Sequence, residues 1–412
     1  MGNLNEVNIN KIDGGLGRLA DTNDSVVLLV MPLATQNTEL TTSTAVRLIQ
    51  TKDAEELGIT ESYDANNHVL AHYHVSEIFR LAPDATVYLL PAPQASSIAA
   101  DVAMVQQTLR THNEIKGIGF AGFDNANLAE TAALADTLQA NLILEAKKSG
   151  IYIDFVLLEG GSAGNLAFND YPNLREHAGE NISVIIGQDT DIAALDSAYA
   201  SHAAIGSALG MLCQRQVSEN LGSTDILNKP TDKKGGITYP LTDAGLGRFI
   251  NAGLSTGQNI DTLDDKQIQS LIDRGYIFIG AYVGAYGFYF SGSQTCTSAS
   301  SDYSAIEYNR VWNKAARLIR KALVPYVKGK VKKDPTTGYI LSTTISHWTQ
   351  VCAKASIERM QQDDDISGGE VYISPKQNPD EKHPLKINVQ VVADGIVHTF
   401  DVDLSLTNSI SN

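Results

Sequence analysis

From Ser25 to about Cys213, short apolar runs alternate with longer segments in which apolar residues recur at helical spacing. The short runs, Val26 to Met31, Ala85 to Leu90, Ile115 to Ala121, Ile151 to Leu158 and Ile182 to Ile186, read as buried strands. Strands that alternate with helices predict an α/β layer with a largely parallel sheet. One intervening helix has a readable face. Leu134, Leu138 and Leu142 line its inner side, Asn127 with Glu130 three residues on opens it, and Gly150 closes it. A second helix is expected over His68 to Leu81. Asp191 to Cys213 is rich in Ala, Ser and Gly, and Gly206 and Gly210 stand four apart, which lets another backbone come close.

The pattern changes after a Gly-, Lys- and Thr-rich stretch, Leu227 to Leu241, taken as a domain boundary. A short helix over Asp264 to Asp273, stopped near Gly275, precedes an aromatic strand region, Tyr276 to Phe290, with Tyr286, Phe288 and Phe290 on one face. Tyr308, Val311, Ala315, Leu318, Ile319 and Ala322 then form an apolar stripe on a helix over Tyr303 to Val324. A further helix, Thr343 to Met360, and a short strand, Glu370 to Ser374, follow. The expected organisation is an arm over 1–24, an α/β domain over 25–226, a second, α+β domain over 227–374, and a linker with a β-hairpin over 375–412.

Both ends carry strand patterns with nothing beside them in sequence to cover them. Val7 and Ile9 alternate with Glu6, Asn8 and Asn10 before a flexible Gly14-Gly15-Leu16-Gly17. At the other end, Asp394-Gly395 fits a type I′ turn, and folding back about it opposes Leu385 to Leu404, Ile387 to Val402 and Val389 to Phe400. An isolated hairpin is marginal in water. The tether before it, SPKQNPDEKHP, has three prolines and allows it to reach another chain, where its edges template strand addition. That points to assembly rather than catalysis.

Charge narrows the choice of partner. The 412 residues carry a net charge of −16, which argues against general binding to nucleic acid or anionic membrane. One segment breaks the rule: nine of the 31 basic residues, Arg310 to Lys333, occur together with no acid among them. A cationic helix in an acidic protein suits docking on a negative surface of a partner or sister subunit. Cys213, Cys296 and Cys352 form no pattern of a disulfide framework or zinc site, and are expected to be reduced. No leader-like apolar region or membrane-spanning run is read, so a soluble protein is expected.

Chemical motifs are present but incomplete. Gly117-Ile118-Gly119-Phe120-Ala121-Gly122 matches a dinucleotide fingerprint, yet its glycines fall inside a strand rather than opening a helix. Gly160-Gly161-Ser162-Ala163-Gly164 matches a hydrolase elbow, with Ser162 as nucleophile and Asp189 or Asp191 and His202 later in the chain, but Asn165 to Pro172 is a poor helix start. His68 and His72 have i, i+4 spacing on a helix shared with His74, without the Glu of H-E-x-x-H. Asp363 to Asp365 lacks the spacing of a calcium loop. No catalytic residue, cofactor or metal ligand is assigned. The enzymatic alternative is an α/β hydrolase using Ser162.

From Asp264 onward, the order of elements resembles the C-terminal half of contractile tail sheath proteins, found in myophages, R-type tailocins and related injection machines. The similarity rests on the helix and strand of Lys266 to Ala281, the strand and polar loop of Tyr286 to Ser301, the basic helix of Tyr303 to Val324, and the terminal ribbon of Leu385 to Leu406. The glycine-containing arm, Ile12 to Gly17, and the helix and strand from His68 to Leu90 agree in outline. Gly292-Ser293 and Asn309-Arg310 depart from pairs common in sheaths. The resemblance implies a structural virion protein without enzymatic activity, which polymerises helically around a tail tube and contracts for genome ejection or injection through a cell envelope. It implies tube, baseplate and tail-terminator proteins as partners and location in a particle tail assembled in a bacterial host's cytoplasm, while the net charge leads us to expect no nucleic-acid partner. It makes Val7, Ile9, Leu385, Ile387, Val389, Phe400, Val402 and Leu404 inter-subunit arm residues that act by strand addition. Arg310, Lys314, Arg317 and Lys321 become the candidates for an electrostatic contact with the tube or a neighbour.

Overall fold

The uninterrupted apolar run after Ser25 becomes β1 (Val26–Pro32), an inner strand of a six-stranded sheet in a computed structural model that describes residues 24–124, 127–164, 166–224, 241–380, 382–402 and 404. Along the chain follow β2 (Val46–Leu48), α1 (Thr51–Glu56), α2 (Glu61–Asn67), α3 (Ala71–Leu81), β3 (Thr86–Ala92), α4 (Ile98–Thr111) and β4 (Gly117–Phe120). Next come α5 (Leu128–Leu138), a π-helical turn, Gln139–Ile143, that leads into α6 (Leu144–Lys148), then β5 (Phe155–Glu159) and β6 (Ile182–Ile185). The sheet order is β2-β3-β1-β4-β5-β6, with every pairing parallel except that of β2 with β3. Every residue of β3, β4, β5 and β6 is buried, as a parallel sheet covered on both faces requires.

Glycines set how tightly the layers close. A Cβ on Gly117 would lie 2.1 Å from the Phe155 ring, and one on Gly119 would lie 2.8 Å from Ile205 and Leu209. The helix after β4 begins only at Leu128, so these are packing glycines rather than a phosphate cradle. After β7 (Gly187–Asp189) and α7 (Thr190–Ala193) comes α8 (Ile205–Gln214), which crosses α3 closely. A Cβ on Gly206 would meet the His74 carbonyl oxygen at 2.5 Å. The four-residue glycine spacing in the sequence is therefore a helix-contact device.

The segment after residue 240 corrects the expected boundary at 227. It contains β8 (Ala252–Leu254), α9 (Asp265–Asp273), β9 (Ile279–Gly280) and β10 (Tyr289–Phe290). β8 pairs with β7, and Ile277 bridges in parallel to Ile185, continuing the main sheet beyond β6. The sheet core accordingly extends through Phe249, Tyr276, Phe278, Phe290 and Cys296 to Ile306. Hydrophobic completion of the β6 edge outweighs the polar composition of 227–241. The expected shared face of Tyr286, Phe288 and Phe290 does not form: Phe290 is buried while Tyr286 is exposed outside β10.

A second core begins on α10 (Ile306–Leu323). The chain then runs through α11 (Ser342–Cys352), a π-helical stretch, Ala353–Glu358, and α12 (Arg359–Gln362) to β11 (Gly368–Tyr372) and β12 (Asn388–Val392). Val217, Val311, Ala315, Ile357, Met360 and Ile366 form this core, with Val371, Val389 and Val391 packed on it. Among the described residues, no helix is long and apolar enough to cross a membrane.

Candidate functional site: a strand ribbon, an extended tail and a basic turn

The chemical motifs do not assemble into a catalytic site. Residues 160–164 leave β5 as a loop, and the next regular structure is a 3-10 turn, Phe168–Asp170, rather than the helix of a nucleophile elbow. Ser162 is not among the residues with positive φ, so the strained turn that would project such a nucleophile is missing. Asp189 caps α7 and accepts the Phe249 N–H at 2.8 Å, while His202 faces Glu159. The Asp and His of that order are thus engaged in holding loops.

The histidines also separate. His68 is the left-handed cap of α2, paired with Asp196 at 2.6 Å, whereas His72 and His74 lie on α3. The expected single helix breaks because His68 takes φ 54°, ending α2 before α3 starts. His74, Glu159 and His202 do come together in the interior, an association across 128 residues that periodicity cannot reveal. Glu159 is already saturated by the N–H groups of Gly122 and Ala203 and by His202. His74 Nδ1 accepts the Gly206 N–H at 3.2 Å, so a neutral ring carries its proton on Nε2. A metal at Nε2 would need that proton at Nδ1, where the Gly206 N–H already points, and the trio is therefore a poor metal site. Burial lowers the His74 imidazole to about 4. Burial also opposes charge on His202, but the Glu159 carboxylate outweighs it and raises that imidazole.

The C-terminal strands are arranged differently from the expected hairpin. β12 pairs antiparallel with β11, Val389 opposite Val371 and Val391 opposite Gly369, so Val389 does not face Phe400. The apolar side of β12 is claimed by the second core through Ile357 and Met360, a better cover than a free strand provides. Leu385 and Ile387 are half-buried on the approach to β12. Beyond it the described chain forms no strand, and Phe400 (83%), Val402 (75%) and Leu404 (91%) stand exposed in alternation. The ribbon's two strands each keep one unpaired edge among the described residues. Val7 and Ile9 lie outside the described residues.

The basic helix is turned inward. Arg310 is 1% exposed and donates to the Gln216 and Arg215 carbonyls. Lys314, 5% exposed, meets Asp24, Asp363 and Asp365, and Arg317 forks onto Asp154 and reaches Asp24. These three cannot serve as a surface contact. Their spacing shares the apolar stripe's side, and buried acids and carbonyls satisfy them where water cannot. Lys321 is exposed, as are Arg320, Lys328, Lys330, Lys332 and Lys333 on the end of the helix and the turn after it. Sequence reasoning located the charge excess but missed this turn as its exposed part, although Pro325 and Gly329 mark it as lying beyond the helix. Between Asp24 and Thr224, 24 acidic residues face nine basic ones, so the chain is electrically polarised.

Residues 4–294 match the N-terminal domain of the DUF2586 family, and residues 302–411 match its C-terminal domain. The division falls next to Ile306, where the core changes. No protein among those of curated function matches the chain. Among solved structures, a chain of the anti-feeding prophage baseplate is 14% identical with a TM-score of 0.60, covering 99% of this chain and 100% of that one. The helical sheath of the same particle in its contracted state is 15% identical with a TM-score of 0.59, covering 98% and 100%. The contracted sheath complex of PVC, an extracellular contractile injection system, is 12% identical with a TM-score of 0.60, covering 99% of each chain. The mixed α/β architecture, a parallel-rich sheet with added antiparallel pairs, is that of sheath proteins.

Proposed function

Because this chain belongs to the DUF2586 family and has the fold of contractile sheath subunits, we propose that it polymerises helically around a tail tube and contracts to drive the tube through a cell envelope. The observation that carries this reading is the pairing, in one chain, of an open two-stranded ribbon with an exposed apolar strand pattern at Phe400, Val402 and Leu404. A strand that cannot satisfy itself and an edge that can receive one are the two halves of a head-to-tail polymer. Val7 and Ile9, which lie outside the described residues, are proposed as a second strand donor on their sequence pattern alone. Leu385, Ile387 and Val389 belong to the receiving side.

The tube contact is assigned to Lys321, Lys328, Lys330, Lys332 and Lys333, because Arg310, Lys314 and Arg317 are consumed internally. Exposed ion pairs contribute on the order of 0–1 kcal/mol each. Such a contact can hold in sum and still release on contraction. The subunit has no catalytic role in this reading, and its further partners are baseplate and terminator proteins of a tail or injection particle assembled in a bacterial cytoplasm. Negative-stain electron microscopy of the concentrated, untagged full chain tests it. Hollow striated cylinders are expected, and uniform single-subunit particles that persist when tube protein is added would overturn it.

A further inference from the structure

The inward-facing lysine of α10 sits where three distant chain segments converge. Lys314 Nζ lies 3.0 Å from Asp24, 3.6 Å from Asp363 and 2.5 Å from Asp365. Arg317 joins the same cluster, 3.3 Å from Asp24 and 2.5 Å from Asp154 at the entry to β5. Asp24 lies two residues before β1, at the start of the described chain. Asp363 and Asp365 end α12 and lead within three residues into β11. Lys314 is 5% exposed, so water does not readily replace a lost partner.

We infer that Lys314 is a positioning residue that locks the root of the N-terminal arm to the strand-receiving ribbon, so that tension on one is borne by the other. This rests on the sheath reading above, in which both elements link neighbouring subunits. The ribbon alone is two-stranded and would peel easily. Its packing on Ile357 resists displacement of one face, while the Asp363–Asp365 turn fixes its base. A short apolar contact would tolerate sliding. An ammonium shared by carboxylates from two remote segments does not, because displacing either segment strips a buried charge of a close partner.

The test uses Asp24→Asn and Asp365→Asn, singly and together, in the full chain, with Lys321→Ala as an exposed control on the same helix. Amide hydrogen exchange is read at residues 368–372 and 388–392 in the unassembled subunit. Asp24→Asn is expected to speed exchange there about tenfold, although Asp24 lies outside the ribbon, and the double variant is expected to fall short of the product of the two single effects. Lys321→Ala should leave exchange unchanged. Ribbon exchange that is unaltered in Asp24→Asn, or effects that simply multiply, would overturn the coupling. Lys314→Met is the direct probe, and should it not fold, the near-isosteric Asp24→Asn carries the decision. Failure of the wild-type chain to form cylinders overturns the sheath reading instead, and the exchange result still decides whether the lock exists.

Discussion

His74 shows what the interior imposes on a single side chain. Its Nδ1 accepts the Gly206 N–H where α3 and α8 touch, and burial lowers its imidazole to about 4 from 6.5. The unfolded chain protonates this group first, so the stability it contributes is complete above pH 6.5 and is lost as the pH falls towards 4. From pH 6.5 to about pH 5 the loss is about 2 kcal/mol. Asp64 and Asp189 act in the opposite sense. Burial raises both carboxyls to about 6, so they add stability as the pH falls through that value. The His74→Gln variant, whose amide oxygen still accepts the Gly206 N–H, isolates the histidine. Denaturant unfolding at pH 7 and pH 5 should show wild type losing more stability than the variant, and equal losses would refute the assignment.

At the scale of elements, α10 buries polar groups beside its apolar stripe. Its buried face includes Glu307, Asn309, Arg310, Asn313 and Lys314. Asn309 and Asn313 donate to the carbonyls of Glu180 and Ile153, and Arg317 donates to that of Tyr152. Polar bonds of this kind fix the helix's register on the sheet domain, because each requires one donor at one carbonyl. The C-terminal tail is the opposite case, since Phe400, Val402 and Leu404 stay exposed among the described residues. Phe400→Asp with Val402→Asp should therefore change subunit stability by no more than about 0.5 kcal/mol, the range of unremarkable surface substitutions, while abolishing cylinder formation. Thermal melting and negative-stain imaging check the two halves of that statement. A large drop in stability would mean that the tail packs on its own subunit.

The whole molecule is polarised, with an acidic sheet domain and a basic end to α10. In a tubular polymer each subunit would present that end in the same orientation, and many weak contacts would sum along the tube. Reversing Lys328, Lys330, Lys332 and Lys333 to Glu should leave self-assembly into cylinders intact but remove the salt-sensitive capture of tube protein by the sheath. Sedimentation of assembled sheath with tube protein at low and high ionic strength reads this directly. Capture unchanged by the reversal would place the tube contact elsewhere.

Local chemistry made much of this legible in one dimension. The five parallel strands follow from apolar runs, α9 follows from Asp264 with its reciprocal partner Gln267, and the Gly206–Gly210 contact follows from spacing. These features depend on neighbours within a few residues, or on burial that any cover would satisfy. The directions of charge and of strand edges were not legible. Whether Lys314 faced a tube or Asp365, whether Val389 faced Phe400 or Val371, and whether residues 241–306 left the sheet or completed it were choices among partners remote in sequence. Periodicity assigns a residue to a face, but only the tertiary structure decides what lies opposite that face. Competition for burial and for charge partners made that decision.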